Sequence, residues 1–296
     1  MKKTIGIIAG NGRFPFLVAR EARKEGYSVA VCGVEGEADP ELQACSDFFS
    51  WVKVGELKKL VKFFRSQGVH EAVMAGKVEK VRLFQKNVHP DLAMMKVLMK
   101  TRDFKDDSLL GGIAEYLHGE GVDLLDSTLF LKDSLPGVGV LGKRKPSEEI
   151  FEDIRFGYEL AKSCAGLDIG QTVVVKKKAV LAVEAVEGTD AAILRGGELG
   201  GGRVTVVKVA KPRQDMRFDV PAVGSRTLRA LVEVRARAFA FEAGKTIFFD
   251  LDEVIKQADQ KGIVLLGVDA ESELVRGRGE KPAAEAGKQK KQAESE

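Results

Sequence analysis

The stretch Thr4-Ile5-Gly6-Ile7-Ile8-Ala9-Gly10-Asn11-Gly12 decides the fold of the first half of the chain. Its mostly apolar beginning predicts a buried strand, and its glycine-rich end predicts a turn. Pro15 follows at a position where the first turn of a helix tolerates proline. A buried strand that turns directly into a helix is typical of a parallel sheet whose two faces are both covered.

The same alternation of strand and helix continues outward from this stretch to about residue 125. Strand patterns recur at 27–34, 48–54, 71–75 and 122–125, and helix patterns occur at 16–24, 56–67, 90–100 and 108–118. Strands that alternate with helices predict a mostly parallel sheet in an α/β fold. We therefore predict a Rossmann-like N-terminal domain over residues 1–135.

The remainder of the chain predicts a second α/β domain over residues 136–269. The glycine-rich segment 136–142, followed by Lys143-Arg144-Lys145-Pro146, is interpreted as a linker. A helix is expected from Ser147 to about Ala165, and strand patterns follow at 171–175, 179–185, 204–210 and 263–268. The last segment, 270–296, contains few large aliphatic residues among many charges, which predicts a disordered tail.

Composition and charge exclude several classes of protein. The 47 Lys and Arg against 44 Asp and Glu give a net charge of +3, which is no reason to expect nucleic-acid binding. No apolar run reaches the ~18 residues that span a bilayer, and the N-terminal run is too short for a signal peptide. The three cysteines and three histidines lack the spacing of a zinc site. We expect a reduced, cytoplasmic protein.

The turn Gly10-Asn11-Gly12 is the first candidate binding site. A glycine-rich turn between a strand and a helix lets backbone N–H groups face a phosphate at the helix N-terminus, and the alternative is a tight turn without a ligand. The dinucleotide fingerprint requires a third glycine where Pro15 stands, and Glu35 is only the nearest acid to the position that would bind a ribose. Both features argue against an NAD-dependent oxidoreductase.

Two shorter motifs carry polar side chains next to predicted elements. In Gly76-Lys77-Val78, Lys77 either meets a phosphate or is a solvated turn residue, and the sequence favours neither interpretation. Asp106-Asp107-Ser108 precedes an apolar helix, which Asp and Ser cap routinely. Because two adjacent acids exceed what one cap needs, Asp106 and Asp107 are also candidates for metal or substrate contact.

The densest polar clusters lie in the second half of the chain. Residues 184–190 read Glu-Ala-Val-Glu-Gly-Thr-Asp, and Arg195 follows on the next predicted helix. The loop 211–221, Lys-Pro-Arg-Gln-Asp-Met-Arg-Phe-Asp-Val-Pro, holds acids and bases between prolines that restrict its backbone. Carboxylates hold Mg²⁺ or Mn²⁺, and Lys and Arg neutralise phosphoryl oxygens. The pattern therefore indicates phosphate chemistry, and the alternative is a surface loop of salt bridges.

Seven strings together resemble the LpxI-type UDP-2,3-diacylglucosamine pyrophosphatases of the lipid A pathway in Gram-negative bacteria: IAGNGRFP, AGKV, DDSLL, GQTVVV, AVEAVEGTDAAILR, KVAKPRQDMRFDVPAVG and FEAGKTI. The resemblance covers about residues 4–268. It implies two domains with the lipid product between them, a divalent metal, and hydrolysis of the pyrophosphate to UMP and a diacylated glucosamine 1-phosphate. Two segments depart from the family pattern, Glu79-Lys80-Val81 and Glu233-Val234-Arg235-Ala236-Arg237-Ala238.

The chemistry and the resemblance together give a set of candidate site residues. An acid of the loop 211–221 is the expected catalytic and metal-binding group, with Asp215 preferred over Asp219. The other metal candidates are Glu187, Asp106 and Asp107, and the expected ion is Mg²⁺ or Mn²⁺. The expected substrate-binding residues are Gly10, Asn11, Gly12, Lys77, Gln171, Thr189, Asp190, Arg195, Lys211, Gln214 and Arg217.

The expected partner is a lipid-linked UDP-sugar, which the protein meets transiently at the cytosolic face of the inner membrane. No nucleic acid is expected, and the sequence leaves open whether the chain forms a homodimer. The rival interpretation is a non-catalytic protein that binds a nucleotide-sugar or a lipid, and a turnover assay separates the two.

Overall fold

The computed structural model describes residues 2–78, 90–101 and 106–270. The tail beyond Ala270, the departure Glu79-Lys80-Val81, and the side chains of Asp106 and Asp107 lie outside the described part. The chain divides into two compact units. The first holds the described residues up to Lys132 together with Asp215–Val220, and the second holds Asp133–Gln214 and the described residues from Pro221 onward. No helix in the described part is long and apolar enough to cross a membrane.

The first unit is built on a parallel sheet. Its elements in chain order are β1 (Thr4–Ala9), α1 (Phe14–Lys24), β2 (Ser28–Val34), β3 (Phe48–Val52), α2 (Leu57–Ser66), β4 (Glu71–Ala75), α3 (Leu92–Lys100), α4 (Asp106–Gly119) and β5 (Asp123–Leu124), with a 3₁₀ turn at Pro40–Cys45. The five strands lie in the order β3-β2-β1-β4-β5, and every neighbouring pair is parallel. The predicted Rossmann-like α/β architecture of this half is confirmed.

The central strand β1 is closely packed, and helix α2 lies against it. Ile5 and Ile7 are fully buried on one face of β1, and Gly6 between them is buried on the other, so both faces of the strand are covered. A Cβ atom added at Gly6 would lie 2.9 Å from the ring of Phe64, so the glycine lets α2 approach the sheet. Helix α2 buries Leu57, Leu60, Val61 and Phe64, the i, i+3, i+4, i+7 pattern of one helical face.

A segment from the second half of the sequence packs in the first unit. The backbone N–H of Ser127 donates to the Met216 carbonyl at 3.0 Å. The Ser127 hydroxyl lies 2.6 Å from the Met74 carbonyl and 2.8 Å from the Arg217 carbonyl, and its single proton serves one of them at a time. Phe218 packs against the hydrophobic core of the first unit. The loop 211–221, which the sequence analysis assigns whole to the second domain, is thus divided after Gln214.

The second unit is a mixed α/β unit. Its elements in chain order are β6 (Gly139–Leu141), α5 (Glu148–Gly166), β7 (Thr172–Lys176), β8 (Ala179–Val183), α6 (Thr189–Leu199), β9 (Thr205–Lys208), β10 (Ala222–Val223), α7 (Ser225–Glu233), β11 (Ala238–Glu242), β12 (Ile247–Phe248), α8 (Leu251–Lys261) and β13 (Val264–Val268). The main sheet has the order β6-β13-β11-β9-β7-β8. Strands β13, β11 and β9 are parallel, while β6, β7 and β8 each pair antiparallel.

Both faces of this sheet are covered. Helix α5 packs on one face, where Ile154 and Ala161 meet Val173 and Val207, and residues of α6, α7 and α8 cover the other face. Alternate residues of each strand point to opposite faces, so Val206 and Lys208 of β9 lie on the face opposite to Val207. This alternation positions Lys208 beside α6 rather than beside α5.

The interpretation of 136–142 as a linker is wrong in part, because the segment contains β6. Leu141 pairs with Leu265 and Gly139 with Gly267, at the edge of the main sheet. The local sequence offers three residues and several glycines, too little for a strand pattern. The pairing partner lies more than a hundred residues away, so only the tertiary structure supplies the hydrogen bonds that make the segment a strand.

Candidate active site

Two turns of the first unit meet at the carboxyl ends of β1 and β4. Asn11 and Lys77 form an isolated bridge: the Asn11 N–H donates to the Lys77 carbonyl at 2.7 Å, and the Lys77 N–H donates to the Asn11 carbonyl at 3.0 Å. The Gly10 N–H donates to the Ala75 carbonyl at 2.8 Å. Gly76 has φ +89°, and a Cβ there would lie 2.6 Å from the Asn11 carbonyl oxygen. Glycine is therefore required where the two turns approach.

This bridge changes what the turn Gly10-Asn11-Gly12 can offer a ligand. The N–H groups of Gly10 and Asn11 already donate to carbonyls of the β4 turn, so they are not the phosphate donors that a glycine-rich turn usually provides. Helix α1 begins just after the turn, with no side-chain hydrogen bond from its N-cap Arg13. The bridge instead places the exposed Lys77 next to the turn, so two predicted substrate-binding positions are neighbours.

In the second unit, a buried lysine lies at the start of a helix. Lys208 ends β9, is 6% exposed, and donates from Nζ to Thr189 Oγ1 at 2.7 Å. Thr189 is the first residue of α6 and donates in turn to Glu184 Oε1 at 2.9 Å. Thr172, the partner of Lys208 in the neighbouring strand, has its hydroxyl 3.4 Å from the Thr189 hydroxyl. We call Glu184, Thr189 and Lys208 the Lys208 cluster.

The electrostatics of the Lys208 cluster favour an anion. The N-cap of α6 is Gly188, with φ +83°, and a glycine has no side chain with which to cap the first turn. The N-terminus of a helix carries partial positive charge and N–H groups that bind phosphate or carboxylate. A buried ammonium next to it adds a full positive charge in a place of low dielectric, where charge-assisted hydrogen bonds are strong. Glu184 offsets part of this charge.

Three predicted residues near this cluster have partners of their own. Arg195 donates from Nη2 to Glu187 Oε1 at 2.6 Å and to the Val183 carbonyl at 2.9 Å. The hydrogen bond from Arg195 is the main cause that lowers the pKa of Glu187. Asp190 Oδ1 accepts from Thr227 Oγ1 at 2.8 Å, which ties α6 to α7. These contacts show at least a structural role for each residue.

The loop that follows β9 is held at its start by Glu242, the last residue of β11. Glu242 is 3% exposed and accepts from the Ala210 N–H at 2.9 Å, while Lys162 Nζ donates to the Ala210 carbonyl at 2.9 Å. Lys162 and Lys245 also donate to the Glu242 carboxylate, at 2.9 Å and 2.8 Å. The backbone N–H and the backbone carbonyl of Ala210 are thus both bound by side chains. We call Lys162, Glu242 and Lys245 the Glu242 clamp.

Lys211 comes directly after the clamped peptide. Its Nζ pairs with Asp168 Oδ1 at 2.7 Å, and its N–H donates to Gln214 Oε1 at 2.8 Å. The Gln214 N–H donates back to the Lys211 carbonyl at 3.1 Å, which closes a turn. Gln214, predicted to bind substrate, therefore shapes the turn that positions Lys211.

Asp215 and Arg217 form a paired turn in the first unit. Arg217 Nη2 donates to Asp215 Oδ2 at 2.7 Å and Arg217 Nε to Asp215 Oδ1 at 3.0 Å, while the Arg217 N–H donates to Oδ1 at 3.1 Å. The hydrogen bond from the guanidinium lowers the pKa of Asp215 and raises that of Arg217. The guanidinium also lies 4.7 Å from the centre of the Phe218 ring. Asp215 is therefore an ionised carboxylate, and Asp219 is the more exposed acid of the segment.

Comparison with known protein families identifies the family of this chain. The LpxI N-terminal domain model matches residues 4–134, and the LpxI C-terminal domain model matches residues 137–266. The chain belongs to the LpxI family. It is 32% identical over 278 residues to the UDP-2,3-diacylglucosamine pyrophosphatase LpxI of Caulobacter vibrioides. The matched region covers 90% of this chain and 98% of that protein. The resemblance seen in the sequence is confirmed.

Solved structures give weaker likenesses to this LpxI chain. One is the biotin carboxylase domain of the 2-oxoglutarate carboxylase of Hydrogenobacter thermophilus, with 15% identity, a TM-score of 0.26, and coverage of 60% of this chain and 36% of that one. Another is N5-carboxyaminoimidazole synthetase of Staphylococcus aureus, with 16% identity, a TM-score of 0.23, and coverage of 59% and 38%. This chain spans well under half of either structure, and neither likeness carries an argument about function.

The acids proposed as metal ligands do not form a ready site in the described part of this LpxI chain. Asp215 is paired with Arg217 and Glu187 with Arg195. Asp106 and Asp107 begin α4, with side chains outside the described residues. Within the described ranges, no group of three His, Cys, Asp or Glu side chains converges as a metal site. The residues that the structure describes therefore do not fit a preformed centre, and the metal requirement stays a prediction.

Sequence reasoning missed Lys208 and Glu242, although each left a signal. Lys208 interrupts the apolar run Val204-Thr205-Val206-Val207-Lys208-Val209-Ala210, and Glu242 ends the run Ala238-Phe239-Ala240-Phe241-Glu242. A charged residue at the carboxyl end of a buried strand is rare unless it is paired, and in a parallel sheet that end is where ligands bind. A charged residue at the carboxyl end of each of these buried strands therefore predicts Lys208 and Glu242 as candidate site residues.

Proposed function

We propose that this protein hydrolyses the pyrophosphate bond of UDP-2,3-diacylglucosamine and releases UMP and 2,3-diacylglucosamine 1-phosphate. The observation that carries the proposal is the 32% identity to a UDP-2,3-diacylglucosamine pyrophosphatase over nearly the whole of that protein. The match to both LpxI domain models supports it. The geometry of the second unit supports it as well, because a pyrophosphate is the kind of anion that the Lys208 cluster suits.

In this proposal, the Lys208 cluster binds a phosphoryl group of the substrate. The ammonium of Lys208 donates to the hydroxyl of Thr189, the first residue of α6, so it lies at the N-terminal end of that helix. Negative charge grows on the leaving phosphate during P–O cleavage, so fixed positive groups stabilise the transition state more than the ground state. Lys211, on the turn closed by Gln214, is a second cation for the same role.

The hydrolysis itself needs a positioned water. Its oxygen bonds to one phosphorus as the bond from that phosphorus to the bridging oxygen breaks; one water proton stays on the new oxygen of the attacked phosphate, and the other passes to the leaving phosphate or to solvent. A carboxylate of Asp215–Val220 is proposed to orient this water, either Asp215 or Asp219. Because the pairing with Arg217 lowers the pKa of Asp215, that residue would accept a hydrogen bond from water rather than donate a proton.

We also propose that turnover requires Mg²⁺ or Mn²⁺, which would neutralise charge on the pyrophosphate. Mg²⁺ often binds through one or two carboxylates together with substrate phosphates and keeps several waters. A chain of this kind need not contain three converging acids before the substrate arrives.

The proposed setting is the cytoplasm, with transient contact at the inner membrane, because a substrate with two acyl chains resides in a lipid surface. A homodimer and a monomer both remain compatible with the proposal. The rival function is a non-catalytic protein that binds a nucleotide-sugar or a lipid, and the same sites would serve it. Turnover is what separates the two.

The test is a turnover assay with purified protein and UDP-2,3-diacylglucosamine in detergent micelles. We expect stoichiometric release of UMP and the lipid phosphate, and no release from a UDP-sugar without acyl chains. Isotopically labelled water shows which phosphorus is attacked, because the label enters only that product. A reaction without protein serves as the negative control. Binding of substrate without UMP release by the wild-type chain would favour the rival function.

A further inference from the structure

Helix α3 presents a contiguous apolar strip to solvent. Leu92, Met95 and Met99 are 69%, 44% and 81% exposed. At 100° per residue these three positions fall on one face of the helix, while Ala93, Met94 and Val97 bury the opposite face. Single exposed apolar residues are ordinary, but a run of three large ones along one helix face marks a surface that binds something.

Two lysines border the strip. Lys96 and Lys100 are exposed, lie along one side of the apolar face, and have no acidic residue beside them on the exposed face of α3. Among the described residues, the acid next to α3 on the chain is Asp91, whose carboxylate caps the helix by accepting from the N–H groups of Ala93 and Met94. Apolar side chains bordered by lysines are the pattern of a helix that lies in the headgroup region of an anionic bilayer.

We propose that the α3 strip, Leu92, Met95 and Met99 with Lys96 and Lys100, is a docking surface for an anionic lipid bilayer. The reason for membrane binding rests on the proposed function, because a substrate with two acyl chains reaches the protein from a membrane. The charge complementarity of the lysines favours anionic lipid over a neutral apolar partner. Methionine suits such a surface, because its unbranched, flexible side chain adapts to a fluid partner.

The test measures binding of the full chain to vesicles by co-sedimentation. Vesicles contain either phosphatidylcholine alone or an equal mixture of phosphatidylcholine and phosphatidylglycerol. We expect binding to the mixed vesicles, at least about fivefold weaker binding to the neutral ones, and weakening by salt. Equal binding to both vesicle types, or binding to neither, would overturn the proposal.

Variants assign the binding to the strip. Met95→Ser/Met99→Ser should lower affinity for mixed vesicles at least about tenfold, because both side chains lose their apolar insertion. Lys96→Glu/Lys100→Glu should abolish the preference for anionic lipid. The matched control is Leu167→Ser/Leu199→Ser in the second unit, where the two leucines are 73% and 65% exposed. The control should bind as the wild type does, and equal loss in the control would contradict the assignment.

Two further measurements distinguish membrane docking from the proposed hydrolysis and from self-association of the chain. If the strip variants lose turnover of substrate in vesicles but keep it in detergent micelles, the surface acts in membrane access. If the wild-type chain binds mixed vesicles but shows no turnover in either form, the docking surface stands and the proposed function fails. Sedimentation velocity tests the alternative of a second copy: a dimer that the Ser variants dissociate, with no vesicle binding, would overturn the proposal.

Discussion

Lys208 Nζ lies 2.7 Å from Thr189 Oγ1, so the ammonium at the end of β9 is held at the first residue of α6. Strand and helix are brought together by the register of β7 with β9, which pairs Thr172 with Lys208. A lysine this deeply buried has lost most of its hydration, and in return it can bind an anion strongly when one arrives.

The first prediction concerns Lys208→Met. If Lys208 binds a phosphoryl group as proposed, the substitution removes a charge-assisted hydrogen bond of about 1.5–3 kcal/mol, so kcat/KM should fall about 10- to 100-fold. The free energy of unfolding should fall by about 1–3 kcal/mol, because Met leaves the Thr189 hydroxyl without the hydrogen bond that Lys208 donates. The measurements are steady-state kinetics and urea unfolding. Lys24→Met, on the exposed end of α1, is the matched control and should leave both quantities unchanged. Wild-type kinetics for a folded Lys208→Met would remove the cluster from the site.

The second prediction concerns the two acids of Asp215–Val220. If one of them orients the water, its replacement by Ala should lower kcat at least ~10²-fold with substrate binding largely kept. We expect unequal effects, because Asp215 also accepts hydrogen bonds from the backbone N–H, Nε and Nη2 of Arg217 and closes the turn. Each variant is checked for folding by circular dichroism, then assayed for turnover and for binding. Near wild-type turnover by both folded variants would show that this segment is not catalytic.

The third prediction is a pH dependence of stability. A carboxyl group whose pKa is lower in the folded state contributes stability above its unfolded pKa, and loses that contribution as pH falls through its folded pKa. Asp215 is such a group, because Arg217 lowers its pKa. Urea unfolding of the wild type and of Asp215→Asn is measured from about pH 7 down to about pH 2, across the unfolded value of ~3.9. The difference in free energy of unfolding should be constant near neutrality and shrink towards the acid end. A difference that grows with acidity would contradict the assignment.

The fourth prediction concerns the Glu242 clamp. Glu242→Ala leaves Lys162 and the Ala210 N–H without their buried partner, and should lower the free energy of unfolding by about 3–5 kcal/mol. The matched control is Glu149→Ala, which removes an exposed partner of Arg237 and should change the free energy of unfolding far less, because solvent screens the exposed pair. The double variant Lys162→Met/Glu242→Leu should recover much of the stability lost by Glu242→Ala. A loss equal to that of the control would show that the clamp contributes little.

The fifth prediction is that a chelator abolishes turnover and that Mg²⁺ or Mn²⁺ restores it. The physical reason is the charge that develops on a pyrophosphate as its bridging bond breaks. Ca²⁺, with its larger radius and looser geometry, serves as the control ion. Full turnover in excess chelator would contradict the metal requirement while leaving the proposed hydrolysis intact, because the Lys208 cluster would then neutralise the charge by itself.

Much of the fold followed from local pattern. The run from Thr4 to Ala9, the turn with Gly12, and Pro15 are enough to predict a strand, a turn and a helix, and their repetition predicts the parallel sheet. The helix that begins after Ser147 was predictable for the same reason, since Ser147 caps it through its hydroxyl. The family followed from long strings such as KVAKPRQDMRFDVPAVG, because such strings are specific.

Contacts between residues far apart in the chain determined the features that local sequence patterns did not predict. Strand β6 forms because it pairs with the edge of β13. Asp215–Val220 belongs to the first unit because it is hydrogen-bonded to Ser127 and because Phe218 packs against the core of that unit. Lys208 becomes a candidate phosphate ligand only because strand pairing carries it to Thr189. Hydrophobic periodicity reports which face of an element is buried, whereas the partner of a buried charge is set by contacts between residues far apart in the chain.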